Sequence, residues 1–300
     1  MTKLKLLFLL GLFSCSAIGG VTKEGYFRPN GRGYGEPFPS VSRGLTAAPT
    51  ATGYGIQYHG GRVMPGPHKI YYLYYGNWAG NAAPVILSDL ANGLNQSPYF
   101  SIVSGYSTSA SIISNVVGYG GSVYDPGSKG TVLSDAAILQ SLQNAINGGK
   151  LPLDENGIYF VITSKEISAS SGFCSSYCAF HAASNIGLTR LRYAFIGNPD
   201  RCPNLCSPQA ISPNNNSAAD SIANNVAHEL IETITDPDFT AWYDSKGLEV
   251  SDKCSWNFGL TQLAPNGSKW NAKLGSRLFL LQTNWINMPG INNTGHCGLN

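Results

Sequence analysis

The chain has 300 residues, 43% of them hydrophobic, which is enough for a sizeable core and too apolar for general disorder. Charged residues make up only 12%, about half the usual share of roughly 25%, and the net charge of +2 rests on Lys3 and Lys5 at the start. The remainder is neutral, which excludes the basic footprint of a nucleic-acid binder and leaves no cationic cluster for an anionic membrane.

Residues 1–19 have the three parts of a secretory signal: Lys3 and Lys5, an apolar run from Leu6 to Phe13, then small residues with cleavage expected after Ala17 or Gly19. The run is too short to span a bilayer, and no later apolar stretch reaches about 18 residues. A lipoprotein anchored through Cys15 is the alternative, although Phe13 stands where a small residue is usual. Residues 20–66, rich in Gly, Pro, Ser and Tyr, predict an extended arm, with the folded domain at 67–300.

Ile70 to Tyr75 predicts a buried strand that ends at Gly76-Asn77-Trp78. Pro84 suits the first turn of a helix carrying Val85, Leu87, Leu90, Ala91 and Leu94 to Asn95. Ser111 to Val117 predicts another strand. Ser134-Asp135 opens a second helix with Ile138, Leu139, Leu142 and Ile146 on one face, and Gly148-Gly149 stops it. Ile158–Thr163 and Arg190–Ile196 predict central strands, separated by a cysteine-bearing loop at 165–189. A third helix is expected from Ser217 to about Thr235, with Ile222, Val226, Leu230 and Thr233 toward a core and Asp236-Pro237 as its stop. Leu278 to Gln282 is the clearest later strand. Strands alternating with helices predict a mixed α/β domain: a central mixed sheet with flanking helices and disulfide-stapled loops.

Six cysteines follow the leader: Cys174, Cys178, Cys202, Cys206, Cys254 and Cys297. In an exported chain they predict up to three disulfides, of unspecified pairing. A thiolate zinc site at Cys174/Cys178 and Cys202/Cys206 is the alternative. Sequons stand at Asn215, Asn266 and Asn292, and at Asn95, where Pro98 weighs against use.

The third helix carries the chemistry. His228 and Glu232 are four apart and share a face, with Glu229 next to His228. This is the spacing of a His-Glu-x-x-His zinc helix with Glu as the second ligand, so His228 and Glu232 are expected to hold a metal and Glu229 to act as the base. Asp236, Asp238, Asp244, Glu249 and Asp252 follow, an acid density that points to a cation or to a solvated acidic loop. Zinc would take His228, Glu232 and one more ligand, with His181 the nitrogen candidate and Asp236, Glu249 or Asp252 the oxygen candidates. Calcium would instead take Asp236, Asp238, Glu249 and Asp252. His59, His68 and His296 are set aside by position. No Gly-x-Ser-x-Gly elbow occurs, and the glycines at 118, 120 and 121 have the wrong spacing for a dinucleotide loop. The aromatic run from Tyr71 to Trp78 suits a core strand better than a sugar platform.

Four segments resemble the EXORDIUM, or phosphate-induced protein, family. They are Tyr72-Leu73-Tyr74-Tyr75-Gly76-Asn77-Trp78, Cys178-Ala179-Phe180-His181, Tyr193 to Asn198 with Cys202-Pro203-Asn204-Leu205-Cys206, and Ala227-His228-Glu229-Leu230 with Thr233, Thr235 and Pro237. The resemblance implies a secreted, extracellular or cell-wall-associated protein, and its plant members are linked to cell expansion and growth responses. Those members read His-Glu-Leu-Ala-Gly and Thr-Asn-Pro, where this chain has Glu232 and Asp236. Both changes add carboxylates to one patch. The resulting expectation is a secreted zincin-like, zinc-dependent hydrolase acting on extracellular polypeptide. The alternative is a non-catalytic binder of cell-wall polymer or a growth-signalling protein, with structural calcium or no metal.

Overall fold

The computed structural model describes residues 55–288 and 294–300. The leader, the arm up to residue 54 and the sequon at Asn292 lie outside them. The main elements are β1 (His68–Tyr75), α1 (Ala83–Gly93), β2 (Val117–Asp125), α2 (Asp135–Asn147), β3 (Gly157–Thr163), β4 (Ala179–Ile186), β5 (Thr189–Ile196) and α3 (Ser217–Thr235). The strands form one sheet in the order β2-β1-β3-β5-β4, parallel throughout except for β4, which runs antiparallel to β5. This is the expected mixed α/β architecture.

Two cores explain why β1 and β3 are apolar without alternation. Tyr72, Tyr74, Phe160 and Ile162 point to the face covered by α1 and α3, while Tyr71, Tyr75, Tyr159 and Val161 point to the face covered by α2. A parallel strand buried on both sides has no polar face to show. Its tyrosines instead place their hydroxyls on fixed acceptors: Tyr72 donates to Leu87 O at 3.0 Å, Tyr75 to Gly130 O at 2.8 Å and Tyr71 to Asp154 at 2.9 Å. Tyr71 and Trp78 are 5% and 6% exposed, so the run is core rather than platform.

The helices begin where their caps dictate. Pro84 lies in the first turn of α1, and Ser134 Oγ accepts from Ala137 N at 3.1 Å to open α2. The third helix starts at Ser217 as expected, and Asn216 caps it, accepting from Ala219 N at 3.0 Å. Every residue of α3 from Ala218 to Thr235 is buried, so it is a central helix rather than a one-faced one.

Four expectations need correction. The strand after α1 starts at Val117, and 111–116 is irregular. Glycines hid this strand; a Cβ on Gly120 would come within 2.4 Å of the Tyr71 ring, so the close approach requires glycine. The end of the cysteine loop, 179–186, is the strand β4, turned into β5 through Gly187 at φ +58°. Residues 280–282 lie outside the short strand Arg277–Phe279, which pairs with Ala272–Leu274. The last part of the arm, 55–66, is anchored on the domain: Ile56, Val63 and Met64 are buried, and Gln57–Tyr58 pairs with Trp242–Tyr243.

The sulfurs pair as Cys174–Cys202, Cys178–Cys206 and Cys254–Cys297. All six are consumed, which removes the thiolate zinc alternative. No helix among the described residues is long and apolar enough to cross a membrane.

Candidate metal centre

The C-terminal half of α3 packs against β4 and β5, and the turn at 249–254 closes over it. Three segments, far apart in sequence, deliver their polar side chains to one buried place. His228, Glu229 and Glu232 come from α3, His181 from β4, and Glu249 and Asp252 from the turn. His181, Glu229 and Glu232 are 0% exposed, and Asp252, the most exposed of the six, is 6%.

The contacts converge on Glu232. Its Oε1 accepts from the backbone N–H of Ser251 at 3.1 Å and of Asp252 at 2.8 Å, which fixes the carboxylate and leaves Oε2 facing the histidines. His228 Nε2 lies 3.2 Å from that Oε2 and 3.5 Å from Asp252 Oδ1. His181 Nε2 lies 3.2 Å from Glu249 Oε2 and 3.9 Å from Glu232 Oε2. Ligand atoms on one tetrahedral zinc, with bonds of about 2.0 Å, stand about 3.3 Å apart, so these spacings suit a shared cation. His228 Nε2, Glu232 Oε2, Glu249 Oε1 and Asp252 Oδ1 are buried and make no hydrogen bond. Leaving such groups without a partner costs several kcal/mol each, and a cation removes that cost.

The local electrostatics fit the same picture. Burial pushes the His181 imidazole down to about 4 against the pull of Glu232. Burial also opposes charge on His228, but Glu232, Asp252 and Glu229 outweigh it and raise that group well above its usual range. Burial, then the charges of Glu232, Asp236, Asp252 and Glu229, drives the Glu249 carboxyl well up. Burial lifts Asp236 to about 7 against two backbone donors.

Two triads of ligand atoms each lie within 4.8 Å: His181, Glu232 and Glu249, and His228, Glu229 and Glu232. Asp236 is in neither; its Oδ1 accepts from Thr240 N and Ala241 N at 2.7 Å each and closes the end of α3. The oxygen-only calcium set is not assembled, because Asp238 is bound to Arg190 at 2.8 Å and Arg192 at 3.4 Å. Asp244 pairs with Lys253 at 2.8 Å. His59 stacks on Tyr243, and His68 is buried beside Phe100. Asn215 and Asn266 are exposed, and Asn266 Nδ2 donates to Asn215 Oδ1 at 2.9 Å. Sequence reasoning missed the two backbone donors that orient Glu232; Glu249-x-Ser251-Asp252 carries no motif that announces them.

Comparison with known proteins agrees with the resemblance. The family described as the phosphate-induced protein 1 conserved region matches residues 56–269. Protein EXORDIUM-like 5 of Arabidopsis thaliana is 27% identical over 283 residues, covering 79% of this chain and 76% of the relative. Protein EXORDIUM-like 3 of the same plant is 27% identical over 237 residues, covering 68% of this chain and 69% of the relative. No solved structure matches.

Proposed function

The chain belongs to the phosphate-induced protein 1 family, and from that premise we propose that it is a secreted EXORDIUM-like binding protein built around a buried divalent-cation centre. Zinc is the first choice, because two imidazole nitrogens join the carboxylates, whereas calcium takes six to eight oxygens. One observation carries the reading: the donors come from three segments, and none of the residues is more than 6% exposed. A closed site of this kind ties the chain together, whereas a catalytic zinc keeps a position open. The cation would lock α3, β4 and the 249–254 turn into one unit beneath a binding surface for extracellular polypeptide or cell-wall polymer. Calorimetry of the untreated and the chelator-dialysed protein tests this. The melting temperature should fall on chelation and return with zinc, while a peptide library stays uncut. A melting temperature indifferent to chelation would contradict it.

A zincin-like hydrolase is the second reading, favoured by the i, i+4 spacing of His228 and Glu232 and by Glu229 in the same triad. Bound zinc would polarise a substrate carbonyl, and Glu229 would hold the proton that attacking water gives up. Glu229→Gln should then keep the metal and lose about 10²–10⁴-fold in turnover. Equal turnover in variant and parent would exclude this role for Glu229.

A further inference from the structure

The centre holds more ligand than one ion uses. His181 and His228 each stand 3.2 Å from a different carboxylate oxygen, Glu249 Oε2 for the first and Glu232 Oε2 for the second. The two ligand triads have only Glu232 in common. Asp252 adds an oxygen 3.5 Å from His228 Nε2, on that imidazole's side. A single ion filling one triad leaves the other imidazole buried outside the set of ligands that ion uses.

The charge balance points the same way. Glu229, Glu232, Glu249 and Asp252 are four carboxylates in the centre, all buried. Among the described residues, the ion pairs of Glu232, Glu249 and Asp252 run only to the two imidazoles, and Lys253 is engaged with Asp244 instead. In the deprotonated form that binds metal, with both imidazoles neutral and all four acids ionised, one divalent ion neutralises half of the four carboxylate charges and two neutralise all of them. Glu232 is oriented for sharing. Its Oε1 is held by two backbone donors, and its Oε2 lies between the imidazoles, 3.2 Å from one nitrogen and 3.9 Å from the other.

We propose that the centre binds two divalent cations, one between His181 and Glu249 and one between His228, Glu229 and Asp252, with Glu232 Oε2 shared between them. This rests on the cation-binding reading above and adds the number of ions and their division. Paired ions that share a ligand sit about 3.5–4 Å apart in known two-metal sites, close enough for their electron spins to couple.

The test uses the full secreted chain. Protein stripped with chelator is reloaded with zinc(II), freed of excess ion and measured by elemental mass spectrometry. A second sample is reloaded with manganese(II) for electron paramagnetic resonance. Two zinc ions per chain and a spin-coupled manganese pair are expected. One ion per chain would overturn the pair and leave the single-cation reading standing; none would overturn both. Two ions with uncoupled manganese signals would overturn the sharing of Glu232. His181→Ala should retain one ion and give an uncoupled signal. The counts on the unmutated chain decide the matter even if that variant fails to fold.

Discussion

Replacing Glu249 by Gln separates a cation centre from a cluster that merely tolerates its own repulsion. The Glu232 and Glu249 ligand oxygens lie within 4.8 Å of one another, both in the interior. At an effective dielectric of about 20, two negative charges at that distance repel by about 3 kcal/mol. In metal-free protein the Glu249 carboxyl escapes that repulsion by keeping a proton that the unfolded chain gives up at neutral pH, so the substitution removes a cost of about 3 kcal/mol at most, keeps the side chain's size and should leave the variant more stable than the parent. For a domain of this size that corresponds to a melting temperature up to about 6–12 °C higher. In metal-loaded protein the same change removes an anionic ligand, so the variant should melt below the parent. Calorimetry on both proteins, each dialysed against chelator and then against zinc, reads the sign in each state. A shift of the same sign and size with and without zinc would refute the reasoning, since Glu249 would then have no dealings with a cation.

Further consequences concern the frame. Burial depresses the His68 imidazole to about 4 from its usual 6.5, so the unfolded chain takes up a proton that the folded one refuses. Stability from this group is intact above about pH 6.5 and is lost as the pH falls toward 4, by about 3 kcal/mol at the lower end. Urea unfolding of His68→Gln should show a shallower acid loss than the parent over that window, and identical slopes would contradict the assignment. The Cys254–Cys297 bridge has a sequence separation of 43, for which loop entropy gives about 4 kcal/mol. Replacing both cysteines by Ser should lower the denaturation midpoint accordingly. Since Cys254 ends the turn that presents Asp252, the variant should also yield its metal to chelator more readily; unchanged chelator sensitivity would separate the bridge from the centre.

The sequence made some elements legible because their signals are local. The span of α3 could be read from its 3.6-residue period and from Asp236-Pro237 at its end, and β1 from an unbroken aromatic run. His228, Glu229 and Glu232 were visible for the same reason, since i, i+4 spacing on one helix needs no tertiary knowledge. The rest depends on contacts remote in sequence. His181 meets Glu249 across 68 residues, and Glu232 is oriented by backbone groups 19 and 20 residues away, which no side-chain pattern reveals. The strand β4 was concealed because it follows a disulfide loop and ends in Ser184-Asn185-Ile186, a polar stretch with little strand character. The strand β2 was concealed by its glycines, one of which, Gly120, admits the Tyr71 ring of the neighbouring strand. The starts of α1 and α2 were legible from Pro84 and Ser134, and α3 starts at Ser217 as expected, capped by Asn216 just before it.

The most direct measurement is the metal content of the untagged protein by elemental mass spectrometry, beside Glu232→Gln, which alters the one residue common to both triads. The account predicts at least one zinc per chain in the parent and a loss of most of it in the variant. Metal-free parent protein, or equal metal in both proteins, would contradict a cation centre at Glu232.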